Sequence, residues 1–170
     1  MVERRVMKEA LSEIFVTVGF HVDFSRLVCK MDELATRLET KVVMQIGSSS
    51  YQPKNSEFFR FAPSIEKYIK KADLVVSHAG VGSILEVLKA EKPLVVVPRQ
   101  AQYDEHIDDH QVEFSETFAD HSAVEVVHDV GILEEVIQQI TEKFNFVKFD
   151  DSNRIRLVRA LRKFVQISTK

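Results

Sequence analysis

Residues 73–98 read Asp-Leu-Val-Val-Ser-His-Ala-Gly-Val-Gly-Ser-Ile-Leu-Glu-Val-Leu-Lys-Ala-Glu-Lys-Pro-Leu-Val-Val-Val-Pro, and they narrow the architecture more than any other stretch. Leu74, Val75 and Val76 form a short apolar run of the kind found in strands buried on both faces, and residues 94–97 form a second. Between them Gly80 and Gly82 mark a tight turn, and Ile84, Leu85, Val87 and Leu88 recur at helical spacing. Ser83 reads as the N-cap of that helix, with Glu86 three residues on. Strand, turn, helix and strand in this order make a βαβ unit, whose strands are parallel. The turn aims free backbone N–H groups and the positive end of a helix dipole at one point, which suits a phosphate.

The rest of the chain repeats that alternation. Residues 14–18 form a strand ending at Gly19. Phe24, Leu27, Val28, Met31, Leu34, Ala35 and Leu38 form an apolar stripe on the next helix, and Cys29 reads as a packing residue within it. Residues 42–46 are a strand closed by Gly47. The polar stretch that follows, up to Glu57, is too long for a tight turn and is a candidate binding loop. A short strand over 58–61 and a helix over 64–71 lead into the central unit. After Pro98, a polar segment over 99–111 runs into a helix through Phe118, a strand over 124–127 and a helix over 132–143. The organisation expected is an α/β, Rossmann-like parallel sheet over residues 14–150. A helical extension over 1–13 precedes it, and a basic amphipathic helix over 151–170 follows.

Composition limits the partners. A chain of 170 residues with 45% hydrophobic content can bury a core, and its net charge of −3 gives no general reason to expect nucleic acid. The single cysteine rules out a disulfide framework within the chain and fits a reducing compartment. No apolar run reaches the ~20 residues that span a bilayer, and no secretory signal pattern is present, so a cytoplasmic location is expected.

Parallel sheets gather ligands at the carboxyl ends of their strands. Residues 19–21, 47–51, 78–83 and 99–111 all follow strands and should share one edge. In the third of these, the glycines permit close backbone approach, Ser83 offers a hydroxyl and His78 a ring donor, although the same glycines also serve a turn that binds nothing. Glu86 is an acceptor for two ribose hydroxyls or, equally, the partner of Ser83 in a capping box. His106 and His110, at i and i+4, face the same way if helical. With Asp108, Asp109 and Gln111 they form either the start of a metal site or, more simply, a set of donors and acceptors for sugar hydroxyls. Phe58, Phe59 and Phe61 stack a base or belong to the core, and His21 touches substrate or only solvent.

Taken together, His78-Ala-Gly-Val-Gly-Ser-Ile-Leu-Glu86, the strand before Pro98, and Asp109-His-Gln111 resemble the nucleotide-sugar signature of GT-B glycosyltransferases. Within them the resemblance is to the family-28 donor-binding halves. That group includes the soluble subunit of the two-part UDP-N-acetylglucosamine transferase of asparagine-linked glycosylation and its bacterial and archaeal exopolysaccharide counterparts. Ile14-Phe-Val-Thr-Val-Gly19, Gln45-Ile-Gly47, Pro98-Arg and Glu105-His106 extend it, so that it covers roughly residues 14–140. The sequence departs from the pattern at Gly82, where plant-type signatures carry asparagine, and at Phe20, where a small residue is commoner.

The resemblance implies a UDP-sugar donor as substrate, with no cofactor and no metal ion. Gly80, Val81, Gly82 and Ser83 would sit at the diphosphate with His78 nearby, and Glu86 would hold the ribose. Phe61 and the backbone of Ala62 would border the uracil, and His110 with Gln111 would contact the sugar. Gly19 and His21 would face the acceptor; the general base expected is either His21 or a group of a partner subunit. It further implies a lipid-linked acceptor, and the reaction expected is an inverting hexosyl transfer. Because a GT-B enzyme needs two such domains, the acceptor half is expected on a membrane-anchored partner subunit at the cytoplasmic face. The last helix, with Arg154, Arg156, Arg159, Arg162 and Lys163 among Ile155, Val158, Leu161 and Val165, suits docking on that partner, peripheral contact with an anionic leaflet, or packing on its own domain. Two other readings stay open: a non-catalytic nucleotide-sugar-binding or scaffolding subunit, and a UDP-sugar hydrolase or epimerase. A nicotinamide enzyme fits poorly, since Gly19-Phe-His lacks the Gly-x-Gly-x-x-Gly opening.

Overall fold

A computed structural model of the chain describes residues 11–144. The helical readings of residues 1–10 and 151–170 lie outside the described residues. Six strands, β1 (Glu13–Thr17), β2 (Lys41–Gln45), β3 (Glu57–Phe59), β4 (Leu74–His78), β5 (Leu94–Val97) and β6 (Val124–Val126), form one sheet in the order β3-β2-β1-β4-β5-β6. Every pairing is parallel, with Phe15 of β1 set between Val43 of β2 and Val75 of β4. Glu13, expected in the leading extension, instead opens β1. It is buried, with its carboxylate 2.7 Å from Lys71 Nζ.

The helices α1 (Ser25–Arg37), α2 (Glu66–Lys71), α3 (Val81–Lys89), α4 (His110–Glu116) and α5 (Leu133–Phe144) cover both faces. Alternate strand residues point to opposite faces, and this divides the core in two. Ile14, Val16, Met44, Val76, Val95 and Val97 meet α1 and α5 through Leu27, Met31, Leu34, Leu133, Ile137 and Ile140. Phe15, Val43, Val75, Leu94 and Val96 meet α2, α3 and α4 through Ile69, Ile84, Val87, Leu88, Phe114 and Phe118. Burial on both faces explains why β4 and β5 read as unbroken apolar runs.

Cys29 corrects the sequence reading: it is exposed. Successive residues of a helix turn by roughly 100°, and with Leu27, Val28 and Met31 facing the sheet, position 29 is carried to the outer side.

No helix joins β2 to β3. The polar loop between them is held against α1 by Asp32, which accepts from Tyr51 Oη at 2.9 Å, Lys54 N at 2.8 Å and Asn55 N at 2.9 Å. Ser25 Oγ and Asp23 fasten the loop's start through Ser49 and Ser50. Burial opposes ionisation of Asp32, but the N–H donors outweigh it and hold its carboxyl below the usual range. The polar residues that marked a candidate binding loop therefore serve, for the most part, to moor it.

Candidate functional site at the carboxyl edge of the sheet

His78, the last residue of β4, is the floor of the site. A side chain on Gly80 would place its Cβ 2.3 Å from His78 Nε2, and one on Gly19 would place it 3.0 Å away. Two glycines thus let the β1–α1 and β4–α3 turns close over the imidazole, and Gly19 also takes a left-handed φ of +73°. His78 Nδ1 lies 3.4 Å from Thr17 O. A carbonyl only accepts, so this contact places the proton of the neutral ring on Nδ1 and leaves a lone pair on Nε2, toward the glycine turns. Burial, and then the charge of Arg99, push the His78 pKa down to about 4. The ring donor expected from the sequence is therefore already directed at Thr17, and near neutral pH the imidazole is uncharged.

Helix α3 begins at Val81 with Gly80 as its cap residue, and no side chain caps it. This corrects the reading of Ser83 as N-cap: Ser83 lies in the first turn, and no capping box with Glu86 forms. The reason is steric, because the His78 ring excludes any side chain at the true cap position. The backbone N–H groups of Val81, Gly82 and Ser83 have no intrahelical acceptor. Gly82 is exposed and a Cβ there would meet nothing within 4 Å, so the fold itself does not require glycine at this position. Glu86, also exposed, follows one turn further along α3.

Three other loops reach the same edge. The one after β1 presents His21 and Phe20 to solvent, and the Phe20 ring meets Phe61 edge to face with centroids 5.5 Å apart. Phe61 is 63% exposed and Ala62 is half-buried beside it. Phe59, by contrast, stacks on Tyr68 at 4.5 Å and belongs to the core. The contact between Phe20 and Phe61 crosses the end of β2, where Gly47 has a φ of +51° and a Cβ would lie 2.2 Å from Gly19 O.

In the loop after β5, Gln111 Oε1 accepts from Arg99 N at 3.1 Å, which leaves its amide nitrogen as a donor. His110 opens α4 and is exposed. His106 lies before α4 rather than on it; its Nδ1 is 2.9 Å from Asp108 Oδ1, and His110 Nε2 is 3.5 Å from Asp108 Oδ2. The two histidines thus share one carboxylate, and among the described residues no group of three or more His, Cys, Asp or Glu is arranged to hold a metal ion. Sequence reasoning assigned no role to Gly47 or Arg99. Pro98-Arg and the glycine closing β2 were the available signals, but neither indicates a partner on another loop.

Six parallel strands in this order, with helices on both faces and a glycine turn at the carboxyl edge, define a Rossmann-like domain. Residues 13–161 match the glycosyltransferase family 28 C-terminal domain, and the chain belongs to that family. It is similar to the human UDP-N-acetylglucosamine transferase subunit ALG13, 32% identical over 105 residues, covering 55% of this chain and 9% of that protein. It is also 25% identical over 161 residues to the UDP-N-acetylglucosamine--N-acetylmuramyl-(pentapeptide) pyrophosphoryl-undecaprenol N-acetylglucosamine transferase of Prochlorococcus marinus strain MIT 9312, covering 81% of this chain and 43% of that protein. The chain thus spans less than half the length of either relative. The crystal structure of the glycotransferase of kitacinnamycin shares its fold, with a TM-score of 0.61 and 20% identity, covering 91% of this chain and 39% of that one.

Proposed function

We propose that this chain is the donor-binding half of a glycosyltransferase that takes a UDP-sugar, UDP-N-acetylglucosamine or a close relative, and passes the sugar to a lipid-linked acceptor. The observation that carries the reading is the uncapped start of α3 above His78. Three backbone N–H groups, the helix dipole and the open space beside Gly82 converge where a diphosphate would lie. In this reading Gly80, Val81, Gly82 and Ser83 hold the diphosphate, Glu86 the ribose, Phe61 and Ala62 the uracil edge, and His110 with Gln111 the sugar. As the acceptor oxygen attacks the anomeric carbon, the bond to the phosphate oxygen breaks. The charge left on the diphosphate is met by N–H groups already in position, without a metal ion. The acceptor proton passes to a base, His21 on its exposed loop or a group of the partner.

The other half of the cleft belongs, in this proposal, to a membrane-anchored subunit that recruits the chain to the cytoplasmic face of a membrane. None of the described helices is long and apolar enough to cross a bilayer. The names of two relatives, a transferase subunit in one case and a transferase acting on a pyrophosphoryl-undecaprenol acceptor in the other, support an arrangement of this kind. The test is a transfer assay on the chain purified together with its membrane partner. Glu86→Ala should abolish most activity while the pair stays assembled. Full activity in that variant would refute the ribose assignment. Release of sugar by the isolated chain, with no acceptor present, would replace transfer with hydrolysis.

A further inference from the structure

One buried cation reaches three parts of the candidate site, and none of the roles above uses it. Arg99, just beyond β5, is 4% exposed. Its Nη2 donates to Val18 O at 2.6 Å and to Val22 O at 2.8 Å, the two ends of the loop that carries Gly19, Phe20 and His21. The guanidinium lies over Phe24, with Cζ 5.0 Å from the ring centroid. Its backbone N–H donates to Gln111 Oε1. Its charge is also a contributor, after burial, to keeping His78 neutral.

Arg99 is not fully satisfied where it lies. Arg99 Nε is buried with no hydrogen-bond partner among the described residues, and a buried N–H left so costs about 1–3 kcal/mol. Glu105, an acid whose field favours the Arg99 charge, is already taken by Arg26 at 2.7 and 2.8 Å and by Gln100 N at 3.1 Å. An apolar side chain would remove that orphaned N–H but leave Val18 O and Val22 O without this donor. Arginine does supply a planar donor that fixes two carbonyls at once from a backbone tied to Gln111. A lysine ammonium, which also carries several donors, would present them from a flexible stem without that plane.

We propose that Arg99 is a positioning residue that sets the acceptor-facing loop, residues 18–22, against the sugar-facing Gln111, so that donor occupancy at Gln111 is transmitted to the loop carrying His21. The inference rests on the assignment of Gln111 and of that loop given above. Between the two clamped carbonyls only three residues project, so a displacement of the Arg99 backbone moves them as one piece. Arg26 supports the arrangement from behind, with Nη2 3.4 Å from Pro98 O and Nη1 3.5 Å from His128 O.

The test is titration of the full chain with UDP-N-acetylglucosamine, following backbone amides by NMR. In the unmodified chain, Gln111 and residues 18–22 should shift together. In Arg99→Lys and Arg99→Met the Gln111 shift should persist while that of the loop falls by about half or more. In the transfer assay with the partner, Arg99→Lys should lower kcat about tenfold and leave the donor KM within about twofold. Arg99→Lys retains charge and most of the bulk, which keeps the test available if Arg99→Met does not fold. Unaltered loop shifts in a folded variant, or equal loss at Gln111 and the loop, would overturn the proposal. An unmodified chain that shifts nowhere overturns the nucleotide-sugar reading itself, and the transmission with it.

Discussion

The two glycines of the turn before α3 differ in why they are there, and substitution separates them. At position 80 a methyl group would lie 2.3 Å from His78 Nε2. Gly80→Ala should therefore displace the imidazole or the turn, lower stability by about 1–3 kcal/mol and abolish UDP binding, as followed by denaturant unfolding and calorimetric titration. At position 82 the methyl group meets open space in the first turn of a helix. Gly82→Ala should leave the fold intact or stabilise it by up to about 1 kcal/mol, yet weaken UDP binding if a phosphate approaches that backbone. Unchanged affinity would remove Gly82 from the site. His78 gives a second expectation. The unfolded chain takes up its proton near pH 6.5, the folded chain only near 4. Stability is thus intact above about pH 6.5 and declines as the pH falls toward 4, by about 3 kcal/mol in all. The carboxylates held low, Asp32 and Asp73 among them, give up their contribution only below this window. Urea midpoints between pH 7 and 4.5 should fall for the unmodified chain and stay nearly level for His78→Asn. At this scale the sequence showed which residues gather at the turn, but not the order of stacking. That the ring lies beneath the glycines depends on the register of β1 and β4, which no local pattern encodes.

Elements were easier to read than their ends. The apolar runs of β1, β2, β4 and β5 and the stripe of α1 were visible because burial on two faces, or along one helical stripe, leaves a periodic trace. The start of α3 was misplaced by three residues because serine is a common cap, whereas here the ring below position 80 settles the matter. Cys29 was misread because it sits beside apolar neighbours in sequence but lies off their face. The connection from β2 to β3 held the largest surprise, since one helix carboxylate, Asp32, serves in place of a crossover helix. Asp32→Ala removes the acceptor for two backbone N–H groups and the Tyr51 hydroxyl. It should cost about 2–4 kcal/mol and raise amide exchange across residues 51–56. Exchange confined to the unmodified rate would show that Tyr51 and Pro53 hold the loop by packing alone.

For the molecule as a whole, the parallel order followed from alternation of strands and helices, and the shared edge of four loops followed from that order. What alternation cannot convey is how the loops brace one another. Gly47 touches the Gly19 backbone, Phe20 reaches Phe61 across the end of β2, and Arg99 and Arg26 cross from β5 and α1 to the loops beside them. Gly47→Ala tests that bracing from a position outside the proposed ligand contacts. With Gly19 O only 2.2 Å from the new Cβ and a φ of +51° to maintain, it should cost about 2–4 kcal/mol. Thermal unfolding measures this, and a melting temperature unchanged from the parent would mean that the turns yield independently. The opposite rim of the sheet is ordinary by comparison: Glu13 lies between Lys41 and Lys71, and Asp73 receives the backbone and hydroxyl of Ser12. A fluorophore, affinity handle or solid support fixed on that rim would stand a full strand length from the proposed site. This makes it the place from which the domain can be immobilised or reported on without obstructing whatever it grips.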